Sequence, residues 1–350
     1  MSTGTVWGLD TGRPGEFKQV EILGTALGLD FQRIRLSPEN APPPVLPAEP
    51  PRLILSFGRA SRAALRLADA CAAKGGARPL RVHLGTPGQI PITEFDLIIP
   101  MPQDDYPAAP NVHFLRLPLN SADAAAPPAP AAGGRCTVII GGPSRHFRLP
   151  VRAIRRLIRF GGRLAAANGE ALHIVTSPRT PAPVLAGLHH SRIDAGFTLH
   201  KYGSADFTEL LRAGSRFVVT GDSASMLADA CRTGAPVWLF PLPARPNLSD
   251  VLQNAVDRCF GRAFRHRLVR RGLVGGGTDF RRWHAELTRT GRIAMVSSRH
   301  QHARHKQDAA LRWTPQNPAP DTDLADCRTR ILGMLAQSSP LPFGGDSVSR

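Results

Sequence analysis

"VVTGDSASMLADACRTGAPVWLFPLP", residues 218–243, is the stretch on which the fold turns. It opens on an apolar run and turns through Gly221-Asp222-Ser223. It then crosses small and apolar residues at helical spacing and closes on a second apolar run. Strand, turn, helix and strand in that order form the repeating piece of a parallel α/β sheet, because parallel neighbours need a crossover to bring the chain back to the same edge. The turn falls at the carboxyl end of the first strand, where ligands bind in open α/β sheets. Asp229 stands about one and a half turns into the helix. A carboxylate there can accept hydrogen bonds from a ribose diol, or it can be an ordinary exposed helix acid.

The same rhythm extends outward in both directions. "TVWGLD" (5–10), "FQRIRL" (31–36), "RLILSFG" (52–58), "LRVHLG" (80–85), "FDLIIP" (95–100) and "NVHFLRL" (111–117) each read as short strands. "FKQVEILGTALGL" and "RASRAALRLADACAAKGG" read as amphipathic helices among them. "NSADAAAPPAPAAGGR" (120–135) breaks the pattern and reads as a linker. Beyond it the alternation resumes with "CTVIIGG" (136–142) and runs to 243. The expected organisation is a Rossmann-like domain over 1–130, a second over 131–296, and a flexible tail over 297–350.

Composition bounds the function. The 350 residues carry 44 Lys+Arg against 27 Asp+Glu, a formal charge of +17, which favours anionic partners. Aromatic residues make up 6%, too few for the stacking platforms of nucleic-acid binding, so nucleic acid is not expected as a partner. Cys71, Cys136, Cys231, Cys259 and Cys327 are scattered, an odd set with no C-x-x-C pair. They read as reduced thiols of a cytoplasmic protein rather than as disulfides or a zinc site. No signal peptide or membrane span is visible. "VRAIRRLIRFGG" (151–162) sets Arg152, Arg155, Arg156 and Arg159 opposite Ile154, Leu157 and Ile158. This fits a surface helix of the domain or a peripheral contact with an anionic membrane. His300, His302 and His305 lack carboxylate or cysteine partners nearby, so no metal is expected.

Three glycine-containing loops follow three of the strands: 10–19, 141–148 and 220–225. A loop that leads from a strand into a helix offers free backbone amides and a partial positive charge to a phosphate. Arg13 and Arg145 lie inside two of these loops. Neither G-x-G-x-x-G nor G-x-x-x-x-G-K-[ST] occurs at them, which counts against a dinucleotide fingerprint and a P-loop. Ser223 follows Gly221 as in a nucleophile elbow, but Ser225 stands where that turn needs its second glycine.

The segment 218–243 resembles the donor segment of GT-B glycosyltransferases of the MurG type, where an acid on this helix holds the ribose. That acid is commonly glutamate; here it is Asp229. A closer resemblance is to the ELM1-like family, carried by "VWGLDTGRPGEFKQ", "FDLIIP", "PNVHFL", "VIIGGPSRHFR", "TSPRTP", "VVTGDSASMLADA", "PVWLFPLP" and "FRRWHAEL". It covers most of 5–243 and returns at 279–296. The resemblance implies a GT-B-like α/β fold, two Rossmann-like parallel-sheet domains facing a central cleft. It implies a nucleotide sugar, UDP-linked by analogy, as substrate, with no metal or other cofactor.

On that reading Gly141, Gly142, Ser144 and Arg145 lie near the diphosphate, and Ser177, Arg179 and Thr180 stand around the cleft. Gly221 and Asp222 belong to the donor-binding turn, Ser223 and Ser225 meet phosphate oxygens, and Asp229 meets the ribose. The acceptor-side loop is Asp10, Gly12, Arg13, Gly15 and Gln19. Glu16 is the candidate general base, where the family's first loop usually has Gly-His and this chain has Gly15-Glu16. The resemblance also admits a noncatalytic adaptor that recruits a protein partner at a membrane surface, and a nucleotide-sugar epimerase.

Overall fold

A computed structural model describes residues 5–37, 39, 46–47, 49–74, 77–119, 134–245, 247–296, 311, 313–315 and 321–338. The linker expected at 120–135 lies outside them up to residue 133, as do His300, His302 and His305. The chain divides into two units: 1–122 with 260–277 and 321–350, and 123–259 with 278–320.

In the first unit β1 (Thr5–Asp10), α1 (Pro14–Ala26), β2 (Asp30–Arg35), β3 (Leu53–Phe57), α2 (Ser61–Ala73), β4 (Leu80–Leu84) and β5 (Leu97–Ile99) follow in order. The strands form one parallel sheet, ordered β2-β1-β3-β4-β5. Successive residues of β1 face opposite sides. Val6 joins Phe17, Val20 and Leu23 of α1, whereas Trp7 and Leu9 join Ala63, Ala64 and Leu67 of α2. Both faces of the sheet's central strands are therefore covered, which is why β1 and β3 read as nearly continuous apolar runs. Pro14 opens α1, where its missing N–H costs the helix nothing.

The second unit runs through β6 (Arg135–Ile140), α3 (Val151–Asn168), β7 (Ala171–Thr176), α4 (Ala182–Ala195), β8 (Thr198–His200), α5 (Phe207–Ala213), β9 (Gly214–Thr220), α6 (Ala224–Arg232) and β10 (Val237–Phe240). Then come α7 (Leu248–Phe260), α9 (Phe280–Arg289) and β11 (Ala294–Met295) in this unit, while α8 (Arg262–Arg270) and α10 (Asp323–Gln337) belong to the first. Its parallel sheet is ordered β11-β10-β9-β6-β7-β8. Numbered within the unit, this is the Rossmann order 3-2-1-4-5-6, with its topological switch between β6 and β9. Ile154, Leu157 and Ile158 of α3 are buried, while Arg152, Arg155 and Arg159 are exposed. This is the division the arginine spacing predicts.

Three expectations need correction. "NVHFLRL" is not a strand: it makes a single bridge, Val112 to Ile98. The amides of Arg116 and Leu117 instead donate to the Asp323 carboxylate at 2.7 and 2.9 Å. Residues 260–277 join the first unit rather than a domain over 131–296. Asp105, buried there, accepts hydrogen bonds from Arg262 and Arg265 and contacts His266 at 3.1 Å, and Val269 packs with Ile92, Phe95 and Ile98. Finally, 297–350 is not wholly a tail. α10 buries Cys327, Ile331 and Leu335 in the α1 core of the first unit. Its spacing of Cys327, Ile331 and Leu335 is the i, i+4, i+8 stripe of a packed helix.

Candidate functional site

In the second unit β6 and β9 are parallel neighbours, so their carboxyl ends open on the same edge. Three segments meet there. β6 ends in Gly141-Gly142, β9 ends in Gly221-Asp222, and the turn after β7 carries Ser177 to Thr180. The Thr220 hydroxyl accepts the Gly141 N–H at 2.9 Å and donates to Asp222 Oδ1 at 2.7 Å. Asp222 Oδ2 accepts the Gly142 N–H at 2.9 Å and an Arg179 N–H at 3.1 Å. The Thr180 hydroxyl reaches the carbonyls of Ile140 and Gly141 and accepts the Ser177 N–H. The switch point is thus closed by an internal polar network around one carboxylate.

That network explains the glycine pair. A Cβ on Gly141 would lie 2.1 Å from Asp222 Oδ2, and one on Gly142 would lie 2.1 Å from the Arg179 carbonyl oxygen. Asp222 Oδ2 cannot withdraw without losing its hydrogen bonds, and the Arg179 carbonyl is fixed backbone, so the close approach requires glycine at both positions. Burial pushes the Asp222 carboxyl above the ordinary range, against the pull of Thr220, Gly142 and Arg179.

The remaining predicted residues sit around this network. Ser144 takes part in its own turn, accepting the amides of His146 and Phe147. Arg145 is exposed. Ser223 caps α6 by accepting the Met226 N–H at 3.5 Å, leaving its hydroxyl hydrogen available to donate. Ser225 is partly exposed in the first turn of that helix, and Asp229 lies half-buried further along it. Gly221 packs beneath the turn, where a Cβ would meet His284 Cε1 at 3.2 Å.

In the first unit the loop after β1 is organised by Asp10. Its carboxylate is 1% exposed and accepts from Arg33 at 2.6 Å and from the Gly12 N–H at 2.7 Å, with Arg35 at 3.3 Å. Register brings these groups together, since Arg33 and Arg35 of β2 pair with Gly8 and Asp10 of β1. Burial pushes Asp10 up, but Arg33, the Gly12 amide and the Arg35 charge outweigh it and hold its pKa below the ordinary value. Gly12 has φ +79, so the turn itself needs glycine. Glu16, in the first turn of α1, pairs with Arg13 at 2.9 Å and is within 3.5 Å of the Thr11 hydroxyl. Gly15 leaves open space beside it. Gln19, further along α1, is buried.

Reading from the sequence missed two groups. α5, capped by Asp206 through the Thr208 N–H, was not anticipated. Its Asp206 cap with Glu209 three residues on was the available signal. His284 also went unnoticed within "FRRWHAEL". It is buried between Phe147 and Phe280, and burial lowers its pKa to about 4 against a partial opposing pull from Asp279.

The family model for mitochondrial fission ELM1 matches residues 14–300. No curated protein matches the sequence significantly. Among solved structures, UDP-GlcNAc 2-epimerase from Methanocaldococcus jannaschii is similar at 10% identity and TM-score 0.52, over 95% of this chain and 99% of that one. A Listeria monocytogenes protein provisionally assigned as a UDP-N-acetylglucosamine 2-epimerase is 11% identical with TM-score 0.50, over 96% of each chain. MurG of Acinetobacter baumannii gives 10% identity and TM-score 0.47, over 95% of this chain and 99% of that one. At such identities the likeness is one of fold: GT-B-like, with two Rossmann-like domains.

Proposed function

The chain belongs to the mitochondrial fission ELM1 family, and from that premise we propose that it is a nucleotide-sugar-dependent, glycosyltransferase-like protein whose second unit holds the donor. The observation that carries this is the capped start of α6 at the β6–β9 switch point, with the exposed Arg145 and the half-exposed Arg179 on neighbouring turns. A helix start at the switch of a Rossmann sheet is a site for anions. Gly142 and one arm of Arg179 are already engaged by Asp222. The diphosphate therefore lies over the first turn of α6, meeting its free amides, the Ser223 and Ser225 hydroxyls and Arg145. Asp229 receives the ribose. The α6 dipole and the arginines neutralise the departing diphosphate, the part a metal ion plays in other transferases. In the first unit Glu16, restrained by Arg13, takes the proton of an acceptor hydroxyl.

Because two similar folds are named for UDP-N-acetylglucosamine, UDP and that sugar nucleotide are the first ligands to try. At a hundredfold excess over Kd a bound ligand stabilises the fold by about 2.7 kcal/mol, read as a raised melting temperature. Asp229→Ala should remove the ligand-induced rise. Glu16→Gln should keep it while turnover falls by about 10²–10⁴-fold. An equal rise in wild type and Asp229→Ala would take Asp229 out of the site. No response to any nucleotide would overturn the reading in favour of an adaptor, and product analysis separates transfer from epimerisation.

A further inference from the structure

Adjoining the switch point at Gly221, the second unit contains a pocket of about 660 Å³ beside α9. This lies within the range of small-molecule sites. The sequence of α9 explains it. Trp283 and Leu287, four apart, are buried in the core, while Arg281, His284, Ala285 and Thr288, spaced i, i+3, i+4 and i+7, line the pocket. Ala285 leaves the middle of that face without bulk. Phe147, Leu242 and Met295 face them, with Gly221, Pro241, Ala244 and Arg289 at the remaining positions, and Met295 is a flexible side chain able to adapt to an occupant.

Charge in the pocket is unequal. Burial keeps His284 neutral at pH 7, its pKa lying at about 4. Arg289 is held by Glu286 through two hydrogen bonds of 2.9 and 2.6 Å. Arg281 is exposed and has no ion-pair partner among the described residues. A mostly apolar, open pocket with one cation that no described ion pair compensates matches an apolar chain carrying one anionic group.

We propose that this pocket binds a single-chain amphiphile with an anionic head, the head on Arg281 and the alkyl chain against Phe147, Leu242 and Met295. The shared chemistry is a carboxylate or phosphate monoester on a hydrocarbon chain. The inference does not depend on the nucleotide reading.

The test is calorimetric titration of the full chain with decanoate, decyl phosphate, decan-1-ol and acetate, below their solubility and micelle limits. Decanoate or decyl phosphate should bind one to one, acetate should not, and decan-1-ol should bind about tenfold more weakly, as expected for loss of a charge-assisted hydrogen bond. Arg281→Gln, an exposed change, should reduce the anion's affinity to that of the alcohol. Ala285→Trp should fill the chamber and remove binding of both. Whichever anion binds better identifies the head. Undiminished decanoate binding in either variant, or no binding of either anion, overturns the proposal. So does competition between decanoate and UDP-N-acetylglucosamine, which would merge the pocket with the switch point.

Discussion

Asp222 and Asp10 are both buried carboxylates at strand ends, yet their surroundings drive them in opposite directions. Asp10 lies beside two arginines and an amide, and its pKa falls below the ordinary value. It therefore contributes stability that is fully present above the unfolded carboxylate pKa and is lost as pH falls through the lower, folded value. Urea titrations from pH 6 to pH 3 should show wild type losing more stability on acidification than Asp10→Asn. Asp222 is raised by burial, so its ionisation opposes folding as pH rises through the carboxylate range. It is retained because Gly142, Thr220 and Arg179 depend on it. Asp222→Ala, which strands those donors, should cost about 3 kcal/mol by chemical denaturation. The resemblance implies that Gly142 lies near the diphosphate and Arg179 beside the cleft. That a carboxylate of the same chain reaches both could not be read from spacing, since Asp222 comes from a strand 80 residues on from Gly142.

At the scale of the element, α10 changes the expectation for the carboxyl end. Its amphipathic stripe is visible in "DLADCRTRILGMLAQ". The stripe is short and set among Pro- and Ser-containing residues, and nothing local says which core receives it. In the structure Asp323 binds the amides of Arg116 and Leu117 and the Arg116 guanidinium, and Ile331 is fully buried. Ending the chain at 320 should therefore lower the melting temperature markedly. Ile331→Ala should cost about 3 kcal/mol, the usual price of such a cavity, by urea denaturation. Full stability after truncation would show that the contact contributes nothing. By contrast, α3 behaves as its periodicity demands, since an arginine face opposite an aliphatic face has one way to lie on a sheet.

For the whole molecule, a formal charge of +17 makes encounter with anions dependent on ionic strength. Affinity for UDP-type ligands should weaken between about 50 and 500 mM salt, measured by calorimetry, as the Debye length shrinks below about 10 Å; an unchanged Kd would exclude a long-range electrostatic contribution. What the sequence determined by itself was the class of fold: apolar runs alternating with amphipathic stretches, turns at 10–15, 141–144 and 220–223, and a restart near 135. These follow from local periodicity and backbone sterics, which need no distant partner. Only the tertiary structure decided the strand order of each sheet and the return of 260–277 and α10 to the first unit. It alone brought Asp222 against Gly141 and Gly142, Arg33 and Arg35 against Asp10, and Arg281 to an open pocket. Each of these depends on groups far apart in sequence meeting in space, where hydrogen bonding and burial are settled together and local pattern carries no record of the partner.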